Sequence, residues 1–235
     1  MLRLLALGIF LLEAAAAGTP WNLFDFKLCK RTKLEGIQDN ASGATYNPTS
    51  GTLWVITNAP KHLLEYSISG ELKRKVAWSG FIDPEGLTWI SGNKLAVVEE
   101  PLEGGISLVD VSPKIERVTQ SREKVKVKVE ANKGLEGLSY DPRTEHFFVV
   151  QELKPKRVLE VSKKGDFEEL FNADHFRVGD FSGIHYAPQI QQLFILSQES
   201  KRVMRITKKG FMVQSIGVEG DRPEVKSGFL CLRNF

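Results

Sequence analysis

From residue 41 onward the apolar positions gather into short runs that recur, with no helical stripe. The runs are Leu53-Trp-Val-Ile56, Leu95-Ala-Val-Val98, Phe147-Phe-Val-Val150 and Leu193-Phe-Ile-Leu196. Turn-forming residues precede each one: Thr49-Ser-Gly51, Ser91-Gly-Asn93, Arg143-Thr-Glu145 and Gln189-Ile-Gln191. A further mixed run follows in Leu63-Leu-Glu-Tyr-Ser-Ile68, Val158-Leu-Glu-Val161 and Val203-Met-Arg-Ile206, closing on Ser69-Gly70, Lys164-Gly165 or Lys209-Gly210. Apolar runs this short, punctuated by turns and lacking a sustained 3.6-residue period, predict β-strands throughout.

One phrase stands ahead of every set. It reads Asn40-Ala-Ser-Gly-Ala-Thr-Tyr-Asn-Pro48, Asp83-Pro-Glu-Gly-Leu-Thr-Trp89, Gly134-Leu-Glu-Gly-Leu-Ser-Tyr-Asp-Pro142 and Asp180-Phe-Ser-Gly-Ile-His-Tyr-Ala-Pro188. Its glycines, Gly43, Gly86, Gly137 and Gly183, are 43, 51 and 46 residues apart, the length of one four-stranded propeller blade. The phrase opens the innermost strand of each blade. The segment Arg122-Glu-Lys-Val-Lys-Val-Lys-Val-Glu130 alternates strictly and reads as an outer strand, whose lysines discourage edge-to-edge pairing. Leu72-Lys-Arg-Lys-Val76 repeats the arrangement.

The ends complete the picture differently. Residues 21–34 read as a lone strand ahead of the first repeat, which in a ring supplies the edge of the last blade. After the fourth repeat, residues 219–235 hold one strand beyond Arg222-Pro-Glu224, and Val225 breaks the repeated Glu-Gly pair. The expectation is an all-β propeller of the five-bladed type over residues 19–235, with four full blades and an incomplete last one. A truncated or alternatively ended product is the preferred reading of that shortfall, and an open ring is second.

Residues 1–18 read as an export signal. Arg3 gives a positive start, Leu4 to Leu12 are almost all apolar, and Ala14 to Gly18 are small, with cleavage expected after Ala17 or Gly18. The apolar run is shorter than the roughly 18–20 residues a membrane span needs, so an uncleaved, weakly anchoring signal is the lesser alternative. A secreted or periplasmic chain is expected, membrane-associated only through that anchor. The net charge of +3 is mild and unconcentrated, which excludes a nucleic-acid surface. Two cysteines, Cys29 and Cys231, provide no disulfide framework. A bond between them would clamp the ring, and two unpaired buried thiols are the alternative.

The strings Ala41-Ser-Gly43, Phe81-Ile-Asp-Pro-Glu-Gly86, Val97-Val-Glu-Glu100, Lys133-Gly-Leu-Glu-Gly137, Asp180-Phe-Ser-Gly183 and Leu196-Ser-Gln-Glu-Ser200 resemble the SdiA-regulated (YjiK/CarP) family in content and order, over roughly Trp21 to Gly217. The resemblance implies an exported or membrane-tethered five-bladed propeller linked to calcium. The C-terminal region departs from it, leaving any ligand from a fifth blade in doubt.

Polar residues of the repeated phrase converge on a channel in such a ring. Before the glycine stand Ser42, Glu85, Glu136 and Ser182, and two positions further back Asn40, Asp83, Gly134 and Asp180. The ends of the second strands add Asn58, Glu99, Glu100, Glu152, Gln198 and Glu199. Crowded carboxylates repel one another and hold raised pKa values unless a cation neutralises them, and an all-oxygen set suits Ca²⁺. The expected ligands are Glu85 and Glu136, then Asp83 and Asp180, then Glu100 and Glu152. Backbone stapling between blades by the same side chains is the competing reading, and catalytic carboxylates a third.

Other chemistry falls away. His62, His146, His175 and His185 lack metal-ligand spacing, and no nucleophile elbow, P-loop or dinucleotide fingerprint occurs. The sequon Asn40-Ala-Ser42 lies in an inner strand, where a glycan would block folding. Trp54, Trp89, Tyr46, Tyr140 and Tyr186 repeat in position and read as core. The expected function is a non-enzymatic, calcium-binding or calcium-regulated exported propeller, with an unknown protein or small molecule at its face. A cation-dependent hydrolase of the lactonase or phosphoesterase kind is the alternative, and a metal-free scaffold the third.

Overall fold

The computed structural model describes residues 21–32, 34–37, 41–100, 105–119, 124–125, 134–152 and 155–218, with the strand segments 9–11 and 229–234. The cleavage region of the expected export signal, Asn40, Lys126 to Glu130 and residues 219–228 lie outside the described residues, as do the side chains of Cys29 and Cys231. In chain order, β1 (Ile9–Leu11) and β2 (Phe26–Thr32) precede the first blade, which comprises β3 (Ala41–Asn47), β4 (Thr52–Thr57), β5 (His62–Ser67) and β6 (Leu72–Ser79). The second holds β7 (Pro84–Ser91), β8 (Lys94–Glu99) and β9 (Ile106–Asp110), followed by β10 (Arg117–Thr119) and β11 (Lys124–Val125). The third is β12 (Leu135–Asp141), β13 (His146–Gln151), β14 (Arg157–Val161) and β15 (Phe167–Asn172). The fourth is β16 (Gly183–Ala187), β17 (Gln192–Ser197), β18 (Arg202–Thr207) and β19 (Met212–Gly217), and β20 (Phe229–Asn234) comes last.

Each blade is an antiparallel meander, and together they form a four-bladed β-propeller arrangement. The recurring apolar runs are the second strands, and their side chains alternate between two cores. Trp54 and Ile56 of β4 pack toward the second blade with Leu87, Leu95 and Val97, while Leu53 and Val55 point to the other side. Phe147 and Val149 of β13 face the second blade, and Phe148 and Val150 face the fourth. A strand sandwiched on both faces must be apolar at every position, which is why these runs do not alternate.

The glycines of the phrase let neighbouring inner strands touch. A Cβ on Gly43 would lie 2.8 Å from Glu85 O, and one on Gly137 would lie 2.7 Å from Ile184 N. Gly86 is tighter still against Glu136 O. Gly183 differs, since its nearest neighbour would be a Leu196 side-chain carbon at 3.4 Å within the same blade. The burial agrees: β12 is buried almost throughout, whereas β3 and β16, the inner strands of the first and fourth blades, face a break between those two blades and are half-buried.

Chain from the N-terminal side spans that break. Trp21 and Leu23 pack on the free face of the fourth blade with Phe194, Leu196 and Val203. Leu34 and Ile37 pack on the free face of the first with Val55, Leu64 and Tyr66. Between them β2 pairs antiparallel with β20, which also takes β1 as a parallel partner. Within the segment 21–34, expected as a lone strand, β2 covers only Phe26–Thr32, and it pairs with the C-terminal strand. Two strands were not foreseen: β1, which lies within the apolar run of residues 1–18 expected to be an export signal outside the fold, and β10. β10 leaves the second blade and adds parallel to β6 at Ala77–Ser79, so the first sheet has five strands. Its three residues are too few to show a pattern. Val118 is buried against the first blade's Trp78 and Val76. The lysine-rich part of β6 precedes the covered stretch, and β11 takes the expected outer place beside β9.

Candidate metal centre

The acids collect where inner strands begin and second strands end. Asp83 immediately precedes β7, Glu85 is its second residue, and Glu100 immediately follows β8. The amide of Glu100 donates to Asp83 O at 2.8 Å, extending the β7–β8 ladder by one rung and bringing both side chains to one end. Asp83, Glu85 and Glu100 each offer a carboxylate oxygen within 4.8 Å of the others. Among the described residues this is the one such group of three or more metal-ligating side chains. A Ca²⁺ ion with oxygen ligands at about 2.3–2.6 Å spans ligand separations up to about 5 Å, so the donor set fits it in kind and spacing.

Neighbouring blades complete the site. From the end of β4, the Asn58 side-chain amide donates to the Asp83 carboxylate. The Ser42 hydroxyl, one residue before the first blade's glycine, hydrogen-bonds Glu85. Gly134 takes the place that Asp83 occupies one blade earlier, and a Cβ there would sit 2.6 Å from Cγ of Glu100. The missing side chain thus makes room for Glu100 at the junction.

Burial and charge act together on these acids. Glu85 is held up to about 8, first by burial, then by the hydrogen bond and charge of Asp83 and the charge of Glu100, against the opposing pull of Ser42. Glu136, buried on β12 of the next blade, is held up to about 9 by burial and by Glu85, Glu152, Glu100 and Asp83. Glu152, after β13, is raised by burial and by Asp180 and Glu199. Among the described residues, every charged group that moves Glu136 is another carboxylate.

The structure thus brings the six expected ligands into one electrostatic neighbourhood and gives one of them, Asp180, a further task. Asp180 is buried and fully engaged. It accepts the Ser197 hydroxyl at 2.6 Å, the Glu199 amide at 3.0 Å and the Gln198 amide at 3.2 Å, fastening the turn after β17 to the start of β16. Glu99 is likewise buried and accepts the Ile82 amide at 2.7 Å. Asn58 and Ser42, visible in the sequence as members of the aligned positions, enter the site as hydrogen-bond donors to its acids. His146 lies against Glu160 at 3.0 Å, and His185 is brought down to about 4 by burial; neither joins the acidic group.

A family model described as SdiA-regulated matches residues 21–228. Among solved structures, the chain is similar to one in a nidogen/laminin complex, at 12% identity and a TM-score of 0.54, over 72% of this chain and 61% of that one. It is also similar to regucalcin from Agrobacterium tumefaciens strain C58, described as a calcium-binding protein, at 17% identity and a TM-score of 0.50, over 81% of this chain and 62% of that one. The chain spans about six-tenths of the length of each, and at these identities the likeness is one of fold.

Proposed function

This chain belongs to the SdiA-regulated family, and from that premise we propose that it is an exported, calcium-binding or calcium-regulated propeller that works by binding rather than turnover. Asp83, Glu85 and Glu100 hold the ion in this reading, with Glu136 and Glu152 adding negative potential. The observation that carries it is the crowd around Glu136: four other carboxylates perturb it, and among the described residues no cationic side chain does. Such a cluster is costly to bury without a counter-charge, and a divalent ion supplies one. The regucalcin likeness agrees with a calcium role through the fold alone. Export is supported by the pattern of residues 1–18. A five-bladed ring, its last blade built on β2 and β20, is supported by the way residues 21–37 reach from the fourth blade to the first.

Titration calorimetry with Ca²⁺, repeated with Mg²⁺, tests the proposal alongside thermal melts with and without chelator. Calcium at a hundredfold excess over its Kd adds about 2.7 kcal/mol to the native state by mass action. Asp83→Asn and Glu85→Gln should each weaken the ion by about tenfold or more. A chelator-insensitive melt with no binding heat would refute the reading. Turnover in an ester and lactone screen that is lost in Glu85→Gln would replace it with the hydrolase.

A further inference from the structure

We propose that the outer edge of the fourth blade is a strand-addition site for an extended, acidic segment of a partner protein. The four outer edges are not alike. β6 carries Lys73, Arg74 and Lys75 and is partly covered by β10, β11 begins with Lys124, and β15 carries Glu168 and Glu169. β19, Met-Val-Gln-Ser-Ile-Gly, carries no charged side chain of its own, and among the described residues no strand lies beyond it. Met212 and Val213 are exposed, and Phe211 just before them is 68% exposed. The Val218 amide bonds inward to Lys201 O, so by antiparallel alternation the backbone groups of Gly217 and Ser215 point outward. A Cβ on Gly217 would meet nothing within 4 Å.

Charge selects the occupant. Residues 200–218 contain Lys201, Arg202, Arg205, Lys208 and Lys209 and no carboxylate, whereas the matching stretch of the third blade, 155–172, has four basic and four acidic residues. Lys208 is matched by Glu160 of the third blade, and Arg205 turns toward Gln192 and Trp21. Arg202 lies over β19, with Nε 2.9 Å from Ser215 Oγ, and Lys209 is exposed at the head of the strand. Two copies of so basic an edge repel each other, while a strand of alternating apolar residues with acidic ends matches both its apolar middle and its flanks. The fold already tolerates such an addition, since β10 augments β6.

The test uses a fluorescein-labelled heptapeptide, Glu-Val-Thr-Val-Thr-Val-Glu, and its counterpart with lysine at both ends. Anisotropy should show binding of the acidic peptide that weakens with salt, and about tenfold weaker binding of the lysine version. Amide exchange should slow in residues 212–217. Ser215→Pro removes an outward amide that no neighbouring strand uses, together with the exposed hydrogen bond from Arg202, and should weaken the peptide about tenfold while lowering the melting temperature by no more than Ser215→Ala does. Lys209→Glu on the exposed head of the strand is an independent variant with the same expected direction. No binding of the acidic peptide, equal binding of both peptides, indifference to both variants, or protection on another strand would overturn the proposal. So would light scattering that shows a dimer dissolved by Ser215→Pro, which assigns the edge to a second copy, or binding to anionic lipid vesicles in place of the peptide.

Discussion

Glu85 and Glu136 bind their protons more tightly in the folded chain than in the unfolded one. Their contribution to stability is therefore full below the ordinary carboxylate value of 4.5 and is lost as pH rises through about 8 and about 9. Without calcium, the chain is expected to melt several degrees lower at about pH 9 than at about pH 5, on the scale of about 2–4 °C per kcal/mol for a domain of this size. Glu136→Gln should flatten that slope, because an amide in this place neither titrates nor repels. Calcium should flatten it as well, by binding the ionised acids more tightly as pH rises. Melting curves across the range, for both chains with and without the ion, check the claim; equal slopes in all of them would remove Glu136 as the cause.

At the scale of the strand, the repeated glycine is a contact requirement. Gly86→Ala and Gly137→Ala push a methyl into backbone of the next blade, so each should destabilise by about 1–3 kcal/mol or more. Gly183→Ala meets only ordinary contact distance and should cost little. Urea midpoints of the three variants give the comparison, and equal losses would contradict the difference in packing. The sequence carried this level of structure well. The phrase, the turn residues and the doubly apolar second strands located the four blades, because each expresses a repeated physical demand. β10 escaped notice because a three-residue strand held by one buried valine has no period to read. Within the site, the repeat alignment found the acids but could not divide their labour. Asp83 and Asp180 occupy the same place in the phrase, yet Asp83 faces Glu85 and Glu100, while Asp180 is consumed by Ser197 and two amides. The difference lies in the turn after the second strand of each blade, whose conformation spacing does not reveal.

For the molecule as a whole, the segment from Trp21 to Ile37 acts as a strap. Its two ends rest on the free faces of the fourth and first blades through Leu23 and Leu34, both buried. Leu23→Ala and Leu34→Ala should each cost about 2–5 kcal/mol, the range for emptying a buried leucine site. Denaturant unfolding with a probe in each of these blades measures this, and an unchanged midpoint for both would mean that the strap does not hold the ring.

The crossing of β10 onto the first blade bears on how the chain comes apart under load. A propeller made of separate meanders releases one sheet at a time when its termini are pulled. Here the strand lying outside β6 is spliced into the path between β9 and β11, so tension that strips the second blade must also peel the first. In a single-molecule stretching trace these two blades should yield as one extension step rather than two, while the third and fourth keep the option of separate release.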